Sequence, residues 1–415
     1  MFSKSTNSQI SHHRSSIDRK MKQRIFISTG EVSGDWHGSI LVQAMFAEAK
    51  QRGIELEIVA LGGDRMAAAG VKLLGNTAAI GSIGLTEALP FVLPTMRLQR
   101  QAKQQLKQDP PDLAVLIDYV TPNLAMGSFF QNILNKPVTY YIAPQEWVWS
   151  FKDKNTKMIA GFTDKIFSIF PQEATYYRKH GANVDWVGHP LIDEMAKVSD
   201  RAICRTELGL GESDLIVTML PASRAQEIKF LFPPMLEACQ AIKAKLPQVK
   251  FLLALSTEKF RQPIADMLNQ YGIEAEIVYG KSHQLIRAAD LVLTKSGTVN
   301  LETALLGVPQ VVIYKVSAST VWVARKILGF SIPFMSPPNL ILEREVVPEL
   351  FQEAATATNI AEACLTLLQD QTVRSQTLTD YTEMRHKLGK PGAATRAAQG
   401  ILDLLTQSLA THHSL

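Results

Sequence analysis

A chain of 415 residues, 46% hydrophobic and 20% charged, is globular and long enough for two domains with a core each. No apolar run approaches the length of a bilayer span, and the first residues lack the apolar core of a secretory signal. Lys and Arg (43) outnumber Asp and Glu (39) for a net +4, but six cations and one acid lie before Ile25, so the body is near neutral and no nucleic-acid partner is indicated.

Residues 1–23 read as a disordered basic leader, with a targeting segment as the alternative. From Arg24 short apolar runs alternate with helical segments. Ile25–Ile27, Ile58–Leu61, Leu113–Ile117, Val138–Ile142, Lys165–Ile169 and Val184–Val187 read as strands. A second series follows at Leu215–Leu220, Phe251–Leu255, Ile277–Val278, Leu291–Leu293 and Gln310–Ile313. Continuous apolar strands with helices between them imply parallel sheets covered on both faces. The expected fold is α/β, with two Rossmann-like doubly wound domains facing across a cleft, at 24–197 and 198–390. The helix in 391–415 is expected to return to the first domain. Ligands bind beyond the strand C-termini in such folds.

Thr29-Gly-Glu-Val-Ser-Gly-Asp35 follows the first strand. Its glycines permit a tight turn, but Glu31 and Asp35 disfavour a phosphate and suit sugar hydroxyls or removal of a proton from one. Glu31 reads as functional and Asp35 as a helix cap. Between Ile83 and Lys107, Leu89, Val92, Leu93 and Met96 precede Arg97, Arg100, Lys103 and Lys107. That order suits contact with lipid and anionic head groups, and equally a buried helix with a solvated end. Trp322–Phe330 has the same character.

Asp118 ends a strand and Asn123 lies beyond it, which places a carboxylate where a general base would face the cleft. An Asx turn before Pro122 is the bland reading. Trp147 and Trp149 could stack on a sugar, line an acyl channel or fill core. His189 reads as structural.

In the second domain Leu220-Pro-Ala-Ser-Arg224 places a guanidinium near a helix start, where it can bind diphosphate through two parallel bonds or pair with Glu227. Asp290 to Glu302 reads as strand, turn and helix start. Ser296, Gly297 and Thr298 there offer hydroxyls and backbone N–H groups to an anion, and Glu302 one turn on suits ribose hydroxyls. An ordinary strand–helix connection capped by Thr298 is the alternative. Cys204, Cys239 and Cys364 are far apart, and there is no Asp-x-Asp pair, so neither a metal nor another cofactor is expected.

Taken in order, these motifs resemble the lipid-A-disaccharide synthase family, inverting glycosyltransferases with two Rossmann-like domains (GT-B). The carriers are Gly30-Glu-Val-Ser-Gly-Asp35, Gly81-Ser-Ile-Gly-Leu-Thr-Glu87, Asp118 with Asn123, Trp147-Val-Trp149, Gly188-His189, Leu220-Pro-Ala-Ser-Arg224, Ser296-Gly-Thr298 with Glu302, and Pro338-Asn-Leu340 with Arg344-Glu345. The resemblance implies transfer of 2,3-diacylglucosamine from its UDP derivative to the 6-hydroxyl of 2,3-diacylglucosamine 1-phosphate. It implies Asp118 as base with Glu31 as alternative, and Ser223, Arg224, Glu227, Ser296, Gly297, Thr298 and Glu302 on the nucleotide. Gly30, Ser33, Gly34, Asp35, Glu87, Asn123, Trp147 and Trp149 fall on the acceptor and acyl side. The implied setting is cytoplasmic, peripheral at the inner membrane face, with a homodimer left open. Departures cluster on the acceptor side: Tyr-Val-Thr-Pro follows Asp118 where the family has Ala-Pro-Asp-Phe, and Gln145-Glu146 precedes Trp147. Ala222 also replaces the usual glycine. A UDP-sugar 2-epimerase and a non-catalytic nucleotide-sugar binder at the membrane are the other readings.

Overall fold

Interior strands here are short apolar runs that helices can cover on both faces, and they assemble into two parallel sheets. The protein is seen in a computed structural model that describes residues 22–30, 32–78, 85–148, 153–221, 225–315 and 334–412; the side chains of 85–91, 225 and 409–412 are outside the description. The first sheet holds β1 (Lys22–Ser28), β2 (Glu55–Gly62), β3 (Lys72–Asn76), β4 (Leu113–Leu116), β5 (Val138–Tyr141), β6 (Lys165–Ser168) and β7 (Val184–Trp186), in the order β3-β2-β1-β4-β5-β6-β7. The second holds β8 (Ile216–Leu220), β9 (Lys250–Leu255), β10 (Ala275–Tyr279), β11 (Leu291–Lys295), β12 (Gln310–Tyr314) and β13 (Glu349–Phe351), in the order β10-β9-β8-β11-β12-β13.

Both orders reverse once, between β1 and β4 and between β8 and β11. These are the topological switch points, where a crevice opens beyond the strand ends. Register places Ser28 beside Leu116 in the first sheet and Leu220 beside Thr294 in the second. The loops that leave those residues carry the sequence-derived candidates.

Two strands escape a reading based on apolar runs. β3 and β13 are edge strands, half-exposed along their length, so they need no continuous apolar face. β1 also begins at Lys22, paired with Glu55, before the expected domain start at Arg24.

Four helices of the first lobe bear on the site or on the outer surface: α1 (Val32–Gln51), α2 (Asp64–Ala68), α3 (Leu85–Gln108) and α4 (Val120–Phe129). The helix Ala393–His412 closes the chain by packing on α1. Its Ala397, Ala398, Ile401, Leu402 and Leu405 are buried at helical spacing, each Ile or Leu contributing about 1.5–3 kcal/mol. A Cβ at Gly400 would lie 2.4 Å from the Phe167 ring, so even alanine would push this helix off the sheet. Arg52 joins Asp403 at 2.6 Å on the outer side.

The chain crosses between lobes twice, side by side. His189 N–H donates to the Leu388 carbonyl, Arg396 donates to the Val187 carbonyl, and both oxygens of Asp193 accept from Gly392 N–H. Gly188, at φ 82°, lies against the Leu388 carbonyl and the Arg396 guanidinium, so a side chain there would meet both strain and crowding.

Among the described residues no helix is long and apolar enough to cross a membrane. On α3, Val92, Leu93 and Met96 are exposed, and Arg97 and Arg100 continue the same face one turn on. Lys103 does not belong with that basic group. Its Nζ donates to the Ala125 carbonyl at 2.9 Å and sits over the Phe129 ring, and burial lowers its pKa. The Trp322–Phe330 stretch lies outside the described residues.

Candidate functional site

At the first switch point the chain leaves β4 in a conformation that L-residues avoid. Asp118 has φ 44° and Tyr119 φ 55°, and Ile142, at the end of neighbouring β5, has φ 61°. Hydrogen bonds hold the strain in place. Asp118 N–H donates to the Ile142 carbonyl at 2.9 Å, and the Asn123 amide donates to the carbonyls of Asp118, Ile117 and Ser28 at 2.7, 3.1 and 3.2 Å. Asn123 Oδ1 accepts from the Ser28 hydroxyl at 2.7 Å. With every polar atom engaged and no exposure, Asn123 cannot touch an acceptor; it acts on the site through the backbone it clips.

Asp118 itself is half-buried at the strand ends. Its charge reaches Tyr140 and Glu173, raising the pKa of each after burial has done most of that work. Glu173, buried beneath, accepts from the N–H groups of Ala143, Ile169 and Phe170 and is pushed up to about 8 by burial.

The β1 loop is built for close approach. A Cβ at Gly30 would fall 2.4 Å from the Tyr119 ring, and one at Gly34 2.0 Å from Thr29 Oγ1, so both glycines are steric requirements. Asp35 is a cap, though not of its own helix. Buried in the first turn of α1, it accepts from Gly63, Arg65 and Met66 N–H at 2.8, 3.0 and 3.1 Å and so caps α2. Ser33 is half-buried on the same turn. Trp147 is divided between roles, with a buried Nε1 that has no partner among the described residues, its ring 5.6 Å from Phe170, and another edge on a cavity of about 920 Å³. Val148, Pro171, Phe334 and Leu340 make much of its lining apolar, and Lys179, Glu343 and Lys387 also border it.

At the second switch point the positive φ of the described turn falls on a glycine, Gly297 (φ 158°), so no L-residue is strained there. Thr298 is already helical (φ −55°, ψ −33°) ahead of the helix Val299–Leu305, and its side chain makes no cap bond. The hydroxyl cap considered for this turn is therefore absent. The N–H groups of Ser296 and Gly297 are used within the chain, by the Ile313 carbonyl and Asn300 Oδ1, so they are not the anion donors expected of them. The donors that helix geometry leaves over are those of Thr298 and Val299. Lys295, the last residue of β11, points its Nζ toward the turn and pairs with Glu227 at 2.9 Å. Glu302 is nearly buried and bonded through Oε2 to His283 Nε2 at 2.8 Å.

The lobes touch across this gap. Trp36, one turn into α1, lies 5.9 Å from the His283 ring and 5.7 Å from His37, with Arg65 over its face. His37 in turn meets His189 of the interdomain crossing at 6.1 Å, edge on. Gln172 donates to the Ile341 carbonyl on the cavity side.

The structure thus brings Gly30, Gly34, Asp118 and Asn123 together at one switch point, and Glu227, Ser296, Gly297, Thr298 and Glu302 at the other. Glu31, Trp149, Ser223 and Arg224 lie outside the described residues, as does the Glu87 side chain. Asn339 is a buried loop clip that accepts from Val346 and Val347 N–H, and Arg344 is paired with Asp380 and Glu383. Sequence reasoning missed Lys295, His283 and Trp36. Lys295 stood inside the motif and gave a detectable signal, a cation at the end of a strand that enters an anion-seeking turn. His283 and Trp36 belong to no motif, and only folding brings them to Glu302.

Residues 25–402 match the family model described as lipid-A-disaccharide synthetase. A lipid-A-disaccharide synthase from Gloeothece citriformis is 51% identical over 92% of this chain and 99% of its own length. One from Synechocystis sp. is 48% identical over 92% of this chain and 97% of its own. Among solved structures, a putative UDP-N-acetylglucosamine 2-epimerase from Listeria monocytogenes superposes with a TM-score of 0.62, covering 91% of this chain and 95% of its own. At 15% identity that likeness shows the two-domain fold alone.

Proposed function

This chain belongs to the lipid-A-disaccharide synthetase family, and we propose that its two lobes divide one inverting sugar transfer between them. It is a UDP-sugar-dependent glycosyltransferase that moves 2,3-diacylglucosamine from UDP to the 6-hydroxyl of 2,3-diacylglucosamine 1-phosphate. The products are a β-1,6-linked disaccharide 1-phosphate and UDP. The observation that carries the division of labour is the contact of Trp36 with His283. It sets the first turn of α1, and with it the β1–β4 switch point, against the helix that carries His283, the partner of Glu302.

In this reading the acceptor O6 attacks the anomeric carbon in line as the bond to the β-phosphate oxygen breaks and its electron pair leaves with UDP. Asp118 takes the O6 proton, with Glu31 as the alternative base. The charge growing on UDP is met by Lys295, Arg224 and the N–H groups that open the Val299–Leu305 helix, with no metal invoked. Glu302 receives the ribose hydroxyls. The apolar cavity beside Trp147 takes an acyl chain, and the exposed Val92, Leu93 and Met96 with Arg97 and Arg100 rest on the membrane surface that supplies both lipids. That surface is the cytoplasmic face, where UDP-sugars are made.

Purified protein given the UDP-diacylglucosamine and the monosaccharide phosphate is the test. UDP released only when both are present, with disaccharide phosphate by mass spectrometry, supports transfer. No disaccharide at any enzyme concentration, or exchange of the sugar's C2 proton with solvent instead, overturns it.

A further inference from the structure

Glu302 is the carboxylate on which the ribose reading depends, and its orientation rests on a single bond. Oε2 is tied to His283 Nε2 at 2.8 Å, and among the described residues nothing bonds to Oε1. His283 stands on the short helix Ser282–Ala288. One turn further along that helix Arg287 donates to the Leu306 carbonyl, at the end of the helix that carries Glu302. The two clasps, His283 to Glu302 and Arg287 to Leu306, are four residues apart on both helices and fix their register. One of them is backbone-directed and structural. The other ends on the Glu302 carboxylate, next to the contact of His283 with Trp36 of the other lobe.

His283 is itself gripped from the other lobe. Trp36 lies 5.9 Å from it, rings tilted by 31°, and Trp36 is backed by His37 and by the Arg65 guanidinium. A cis-diol is recognised best by a carboxylate whose two oxygens are held in plane, because free rotation of the group costs side-chain entropy on binding. The chain supplies that restraint from two domains in series.

We propose that His283 is a positioning residue that fixes Glu302 for the ribose diol, and that Trp36 holds His283 so that nucleotide recognition is complete only while the lobes are in contact. This rests on Glu302 being the ribose ligand. It adds that ribose selectivity is shared with a residue of the acceptor lobe that touches no nucleotide.

The test is calorimetric binding of UDP and of 2′-deoxy-UDP to the full chain and its variants, with melting temperatures alongside. The unsubstituted protein prefers UDP by at least about tenfold, the worth of a hydrogen bond to a charged group. His283→Ala cuts that preference severalfold, raises KM for the UDP-sugar more than it lowers kcat, and leaves the melting temperature within a few degrees. His283→Gln, whose amide can reach the same oxygen, restores the preference. Trp36→Ala moves it in the direction of His283→Ala, and Trp36→Phe does so less. Glu302→Ala removes the preference altogether. If Glu302→Ala keeps it, the ribose reading fails and this proposal with it. If Glu302→Ala loses it while His283→Ala does not, Glu302 stands and the role of His283 is overturned.

Discussion

The two switch points meet the same topological need by opposite means. At β1–β4 the precision lies in the backbone, where consecutive left-handed residues at Asp118 and Tyr119 are clipped by the buried Asn123. In the described part of β8–β11 the positive φ falls on a glycine, Gly297, so no L-residue is strained, and the precision lies in side-chain pairs, Lys295 with Glu227 and His283 with Glu302. A strained turn costs about 1–3 kcal/mol per residue and persists only where the surroundings over-determine it. Such a cost is justified where a reacting proton must be met within tenths of an ångström. A diphosphate and a ribose demand less of the backbone, because charge and several hydrogen bonds share the work. In the proposed reading the acceptor lobe is pre-set for chemistry and the donor lobe for grip.

That contrast predicts how each half fails. Asp118→Asn keeps the shape of the side chain and removes the proposed base, so kcat is expected to fall on the order of 10²–10⁴ while UDP affinity stays within about twofold. Steady-state assay of the variant beside its UDP titration checks this; turnover that survives, or UDP binding that collapses with it, breaks the division between the lobes. Lys295→Met is the matching cut on the other side. Both UDP affinity and kcat/KM fall, the latter on the order of 10²–10³, because the turn loses the cation that pairs with Glu227 at 2.9 Å. An Asp118-like result, with kcat lost and UDP affinity intact, would mean that Lys295 serves the chemistry and not the grip.

How much of this could be read in the sequence depended on the kind of signal. The sheet interiors were legible because runs such as Leu113–Leu116 and Val138–Tyr141 must be apolar on both faces. β3 and β13 were not, since an edge strand with one open side need not be apolar. The places of local motifs were legible too. Asp118 at a strand end and a turn of small residues before Glu302 announce themselves within a few residues. Roles that depend on distant partners did not. Asn123 looks like an acceptor ligand until Ser28 consumes its oxygen, and Asp35 looks like a cap for its own helix until α2 is found beneath it. Lys103 looks like the end of a lipid-facing basic stripe until the Ala125 carbonyl claims it.

Acid gives the gentlest way to separate the lobes, because their seam contains two buried imidazoles. His37 on α1 is 7% exposed, has no partner for Nδ1 among the described residues, and has its pKa lowered by burial to about 4. His189, on the crossing and edge-on to it, is held well below the usual histidine range by burial and by His37. Both are neutral in the folded protein, whereas the unfolded chain protonates them near pH 6.5. Between those values the unfolded state binds the extra protons, so the stability that is complete above pH 6.5 drains away as pH falls toward 4. His37 alone accounts for roughly 3 kcal/mol of that loss. His37→Phe, which keeps the contact with Trp36 and leaves no unbonded nitrogen, flattens the fall in urea-unfolding free energy between pH 6.5 and 4 while changing little at pH 8. An equally steep fall in the variant would mean that carboxylates, and not the seam, set the acid limit. The charge that His37 would carry sits beside Trp36, over whose ring the Arg65 guanidinium also lies, on the path from α1 to His283. Loss of UDP affinity in the unsubstituted protein should therefore precede global unfolding as the pH drops, and His37→Phe should bring the two midpoints closer together.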